Sequence, residues 1–151
     1  MISRHSNRQH GFSLVEVLIT LVIMSIGMLG IAGLYVQGMQ AGRTSLFRHH
    51  AVNLAGDVAD RIRANPRAGA AYTGGGLDNG CVGYGIDCDE TQMATPDVFL
   101  GLDQADDSLP DGNVVITFDN GATPPEYTIR IEWNEPEGAQ AYQIVIPVRA
   151  L

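Results

Sequence analysis

From Phe12 to Val36 the chain reads FSLVEVLITLVIMSIGMLGIAGLYV, and Glu16 is its only charge. From Val17 to Gly42 there is no ionisable acid or base except Tyr35. At about 1.5 Å per residue, such a helix crosses a hydrocarbon core of roughly 30 Å. A chain carrying this run must hide it in lipid or against other helices. The residues before it, Met1 to Gly11, hold Arg4, Arg8, His5 and His10 and no acid. The excess of cationic residues on one flank puts that flank in the cytoplasm and everything after about Tyr35 across the membrane, which in a bacterium is the periplasm.

Two processing schemes suit such a segment. A secretory signal peptide has a short apolar region and is cut behind it at a small-x-small site. Gly30-Ile31-Ala32 has that form. Against it, the apolar run is too long, and Glu16 places a carboxylate near its start, where a charge is costly. The second scheme uses the polar-to-apolar boundary itself, Gly11-Phe12-Ser13-Leu14-Val15-Glu16. At this hexapeptide the sequence resembles the type IV prepilins and the related type II secretion pseudopilins. The resemblance implies cleavage after Gly11 by a membrane prepilin peptidase and methylation of the new Phe12 amine. It also implies an intersubunit role for Glu16 during assembly. The mature chain would be 140 residues (151 minus 11), still anchored by its helix.

Beyond the membrane run the helical period continues. Phe47, Ala51, Leu54, Val58 and Ile62 fall on one stripe of a 3.6-residue helix, with Asn53, Asp57 and Asp60 elsewhere around it. Pro66 disfavours helix at Asn65, so one helix from about Phe12 to Ala64 is expected, roughly 80 Å long. Residues 66–112 are rich in Gly, Asp, Thr and Pro without a sustained period and read as loop, with a short element near Val98 to Leu102. Three alternating runs follow: Val114, Ile116, Phe118; Tyr127, Ile129, Ile131, Trp133; and Tyr142, Ile144, Ile146, Val148. Asn120-Gly121 with Pro124-Pro125, and Glu135-Pro136-Glu137-Gly138, are turn chemistry between them, so an antiparallel meander is expected. Pro147 lacks a donor and points to an edge position for the last strand. The apolar face of the sheet has an obvious partner in the stripe from Phe47 to Ile62.

A second stretch narrows the resemblance. Ser25-Ile26-Gly27-Met28-Leu29-Gly30-Ile31-Ala32-Gly33-Leu34, followed by Asp60-Arg61-Ile62-Arg63-Ala64-Asn65-Pro66 and Ala71-Tyr72, is similar to the PilV-type minor pilins, the type IV pilus modification proteins. It spans about residues 11 to 72. Major pilins usually carry a proline in the middle of the membrane helix, and none occurs between Phe12 and Asn65.

Composition excludes several chemistries. All nine basic residues are arginine, which removes a Walker-type phosphate loop and any lysine nucleophile. Net charge is -8, and loss of Arg4 and Arg8 leaves 7 minus 17, or -10, a balance that repels nucleic acid. Cys81 and Cys88 flank a Gly-rich loop containing Gly83 and Gly85, and in the periplasm a disulfide is the default. Zinc needs two further ligands and no histidine follows His50. Six residues between the cysteines rule out a Cys-x-x-Cys redox pair. Asp103, Asp106, Asp107 and Asp111 form either a solvated acidic loop or, less in keeping with their spacing, a calcium site. His49 and His50 are adjacent, diverge by about 100° on a helix and cannot chelate together. Gly27, Gly30 and Gly33 recur along one side of the membrane helix. They mark either the tolerance of membrane helices for glycine or close helix packing.

The expected architecture is therefore α+β: a basic leader (1–11), a membrane and assembly helix (12–36), its amphipathic continuation (37–65), a Gly/Asp-rich loop region (66–112) and an antiparallel sheet (113–151). The expected function is a non-enzymatic structural subunit without metal or cofactor, a minor pilin that takes part in assembling or priming a type IV pilus. Its expected partners are the prepilin peptidase, other minor pilins and the major pilin, the inner-membrane assembly platform, and membrane lipid before assembly. Two alternatives stand beside it: a minor pseudopilin of a type II secretion system, and a membrane-anchored periplasmic binding or enzymatic domain with a coincidental Gly11-Phe12 boundary.

Overall fold

A computed structural model describes residues 11–81 and 87–148. The leader residues before Gly11, and Gly83 and Gly85 between the cysteines, lie outside the described residues. Two compact units divide the chain, Met1–Gly42 and Arg43–Leu151. The helix α1, Leu14–Ala64, begins in the first and ends in the second.

In the first unit α1 is exposed on every side. Leu18, Ile19, Leu21 and Val22 keep 53 to 57% of their surface. Thr20 and Ser25 turn their hydroxyls back onto the carbonyls of Val17 (2.8 Å) and Leu21 (2.7 Å), which removes two polar groups from the apolar surface.

In the second unit the expected stripe is the buried one. Leu54, Val58 and Ile62 are sealed together with Ala51, Ala55 and Ala59, and Phe47 packs on the margin. Three strands follow: β1, Asn113–Asp119; β2, Glu126–Glu135; and β3, Gly138–Pro147. They pair antiparallel in the order β1-β2-β3, with Val114 opposite Ile131 and Ile129 opposite Ile144. The meander and the edge position of Pro147 are as the alternation and turn residues indicated. Their inner residues, among them Ile116, Tyr127, Ile129, Ile131 and Trp133, share one core with the α1 stripe. Each buried aliphatic side chain contributes about 1.5–3 kcal/mol of transfer free energy.

The loop expected at 66–112 is corrected. It contains a 3-10 turn, Gly69–Thr73, and a 19-residue helix α2, Glu90–Ser108. The buried positions of α2 are Ala94, Pro96, Val98, Gly101 and Ala105, spaced as a helix but mostly too small to register as an apolar period. Small residues are what the packing needs here: a Cβ at Gly101 would lie 3.2 Å from Val58 Cγ2 on α1. Asp89 caps α2 by accepting from Gln92 N (2.7 Å), and the Gln92 side chain accepts in return from Asp89 N (3.1 Å). Pro96 inside α2 has no N–H to offer the Gln92 carbonyl four residues back. Asn79 Nδ2 donates to that carbonyl instead, at 2.7 Å.

Candidate functional site

The functional residues expected from the sequence fall into two groups. At the N-terminus, Gly11, Phe12 and Ser13 precede α1 in non-helical backbone. The Ser13 carbonyl accepts from the amides of Glu16 (3.0 Å) and Val17 (3.3 Å) and so starts the helix. Glu16 therefore stands in the first turn, where free amides and the helix dipole favour a carboxylate. Phe12 is 84% exposed. The Gly11-Phe12 peptide bond thus sits on open backbone, and the carboxylate follows about one turn later. A Cβ built on Gly27, Gly30 or Gly33 meets nothing within 4 Å, so among the described residues no contact requires a glycine at any of the three.

The second group lies in the folded unit. Cys81 and Cys88 are disulfide-bonded, with their Cα atoms 5.9 Å apart. Arg61, Asn65 and Tyr72, all from the second stretch of resemblance, meet on α2. Arg61 Nε bonds Asp57 (3.0 Å) and its Nη1 bonds Asp97 (3.2 Å), while Tyr72 Oη donates to the other oxygen of Asp97 at 2.9 Å. Asn65 donates to the Glu90 carbonyl (2.7 Å). These bonds join the end of α1, the 3-10 turn and α2. Burial pushes the Tyr72 hydroxyl well above its ordinary pKa, with the Asp97 carboxylate adding to the rise. The Arg61 guanidinium loses water on burial, but its bonds to Asp57 and Asp97 outweigh that and hold its pKa above the usual arginine value. Tyr127, also raised by burial, donates to the Gly69 carbonyl (2.6 Å) and meets Tyr72 edge to face.

Glu135, at the β2-β3 turn, accepts from Thr44 Oγ1 (2.6 Å) and Trp133 Nε1 (2.8 Å). The Thr44 bond does most to lower its pKa, followed by the Trp133 bond. Sequence reasoning passed over Thr44, Asn79, Asp97 and Glu135, because each acts on a residue far away in the chain. Asp103, Asp106 and Asp107 lie on α2 rather than on a loop, and Asp111 follows the helix with φ of 51°. Among the described residues no group of three His, Cys, Asp or Glu is arranged to hold a metal. His49 bonds Asn53 (3.0 Å), and neighbouring His50 borders a groove between α1 and α2.

Residues 6–32 match the family model of the prokaryotic N-terminal methylation motif, and residues 33–99 match that of type IV pilin Tt1218. These matches support a type IV pilin. No curated protein and no solved structure matches the chain. The type IV pilin family is one of structural subunits that associate with other pilins and with pilus machinery. The long helix with its small antiparallel sheet is a pilin-like arrangement, and the exposed apolar half of α1 fits membrane anchoring with pilus assembly.

Proposed function

We propose that this chain is a PilV-type minor pilin, made as an inner-membrane precursor with its folded unit in the periplasm and later incorporated into a type IV pilus. The observation that carries this reading is the junction Gly11-Phe12-Ser13-Leu14-Val15-Glu16, whose Gly11 to Ser13 lie on non-helical backbone and whose Leu14 to Glu16 open an exposed apolar helix. Prepilin peptidase cuts after Gly11, and the Phe12 amine is then methylated. The subunit waits in lipid and passes, through the inner-membrane assembly platform, into a bundle with other minor pilins and the major pilin.

Glu16 acts in that last step. Its charge near the end of a membrane span is compensated within one chain by the helix dipole and by its own Phe12 amine. Once helices pack side by side, a neighbour's N-terminal amine and the Glu16 carboxylate attract strongly in the low dielectric. Gly27, Gly30 and Gly33 let such neighbours approach closely.

The test is the mass of the mature N-terminus together with the amount of protein in sheared pili relative to the membrane pool. The expected N-terminus is methylated Phe12. Glu16→Leu should still be cut and inserted, yet be depleted about tenfold or more from pili, as loss of a buried charge pair worth at least ~1.4 kcal/mol would give. An N-terminus after Ala32 removes the pilin reading, and a Leu variant entering pili at the wild-type ratio removes the assembly role of Glu16.

A further inference from the structure

The free edge of β3 is built differently from the free edge of β1. Val148 N donates to Pro125 O at 2.7 Å, which continues the β2-β3 register by one pair. Antiparallel pairing alternates, so the even residues of β3 turn their backbone groups toward β2 and Ala139, Ala141, Gln143 and Val145 turn theirs outward. Pro147 falls in the outward set and offers only a carbonyl. Among the described residues no strand pairs with this side, whereas β1 has the 3-10 turn and α2 beside it.

Edge strands usually carry a charge, a bulge or a cover that prevents pairing with another chain. From Gly138 to Val148 there is no charged residue, and the pairing runs without a bulge from Gly138 to Pro147. Pro147 guards only the last position. Six or more backbone groups are therefore left available in an uncharged segment.

The surroundings of the edge say what it suits. A hollow of about 380 Å³ lies on the outer face next to Ala139 and Ala141, whose short side chains leave it open, and Asp111 and Glu132 line it. Arg130 also lines the hollow and is, among the described residues, the cation on that face; Glu132 holds it at 2.9 Å. Glu126, Glu135 and Glu137 add further acid near the two ends of β3. A second copy of the chain would bring the same acidic excess to the contact.

We propose that the β3 edge binds an extended, basic segment of a partner protein, which pairs with the backbone of Ala139 to Val145 and lays a cationic side chain over Asp111 and Glu132. Main-chain bonds supply affinity and the acidic hollow supplies selectivity.

The test uses the full chain in detergent micelles and a fluorescein-labelled peptide, Thr-Val-Arg-Val-Thr-Arg-Val, read by anisotropy. The peptide should bind at least tenfold more tightly than its analogue with Glu in place of Arg. Ala141→Pro removes one outward N–H and no charge, and should weaken binding tenfold or more. A peptide with every amide N-methylated keeps its charges, needs no change in the protein and should not bind. Equal binding of the Glu analogue, retained binding of the methylated peptide, or indifference to Ala141→Pro overturns the proposal. A peptide-independent dimer that Ala141→Pro dissociates also overturns it, in favour of a second copy.

Discussion

The two halves of α1 are one continuous helix with opposite solutions to the same problem. Before Gly42, apolar residues occupy all sides and, among the described residues, all stay exposed. After Arg43, one apolar stripe is almost fully sealed by the sheet and α2, while Asp57, Asp60 and Arg63, with Leu46 and Val52, take the outside. Helical propensity does not separate the halves. What separates them is whether apolarity is distributed around the helix or confined to a face, and this tells which solvent each half was made for. The first half, left exposed, fits lipid or other helices; the second gains its stabilisation from its own fold.

Deleting the same kind of atoms in each region should have very different effects. Ile131 on β2 is fully buried against the α1 stripe, so Ile131→Ala should lower the urea stability of the folded unit by about 2–5 kcal/mol. Leu18→Ala in the first half should change it by less than about 0.5 kcal/mol. Both are measured on the full chain in micelles by near-UV circular dichroism, which reports the single Trp133 and its neighbours. A Leu18 effect as large as that of Ile131 would mean the halves are not energetically separate.

Legibility follows the same division. The membrane helix, the stripe and the three strands were readable because each is a repeated local pattern of large apolar residues. Helix α2 was not, since Ala94, Gly101 and Ala105 carry its packing through smallness and Pro96 interrupts the expected ladder. Its one clear local signal was Asp89 with Gln92 three residues on, a capping box that the nearby Gly-rich stretch obscured. The sequence shows Arg61, Asn65 and Tyr72 without showing what they join. Asp97 comes from a segment where the sequence shows only a carboxylate near a proline, and only the fold brings it to Arg61 and Tyr72. At the N-terminus the proposed roles of Gly11, Phe12 and Glu16 rest on linear sequence, so the fold adds little to them.

A second, smaller effect sharpens the account of the folded half through pH. The folded chain holds the protons of Tyr72 and Tyr127 more tightly than the unfolded chain, whose tyrosines titrate near pH 10. Stability from this source is intact below about pH 10 and is lost as pH rises above it. Tyr72→Phe should cost about 1 kcal/mol near neutrality, for the bond to Asp97, and should flatten the alkaline fall in stability. Melting curves from pH 8 to 11 give both quantities, and an unchanged alkaline slope in the variant would show that Tyr72 does not carry it.

The smallest effect concerns how α2 tolerates its proline. Pro96 leaves the Gln92 carbonyl without its helical donor, and Asn79 supplies one from the preceding loop at 2.7 Å. Asn79→Ala alone removes the one N–H that a side chain among the described residues donates to that carbonyl and should cost about 1 kcal/mol. Pro96→Ala restores an N–H at the position the helix expects, so the carbonyl then has a second donor. In that background Asn79→Ala should cost well under half as much. The coupling of roughly 0.5 kcal/mol or more between the two substitutions is what a double-mutant cycle in urea would read. Because residue 96 is buried, Pro96→Ala also loses packing, but that loss is common to both arms of the cycle and cancels. Additive effects would mean that Asn79 holds the loop on α2 for its own sake and that the proline is accommodated without it.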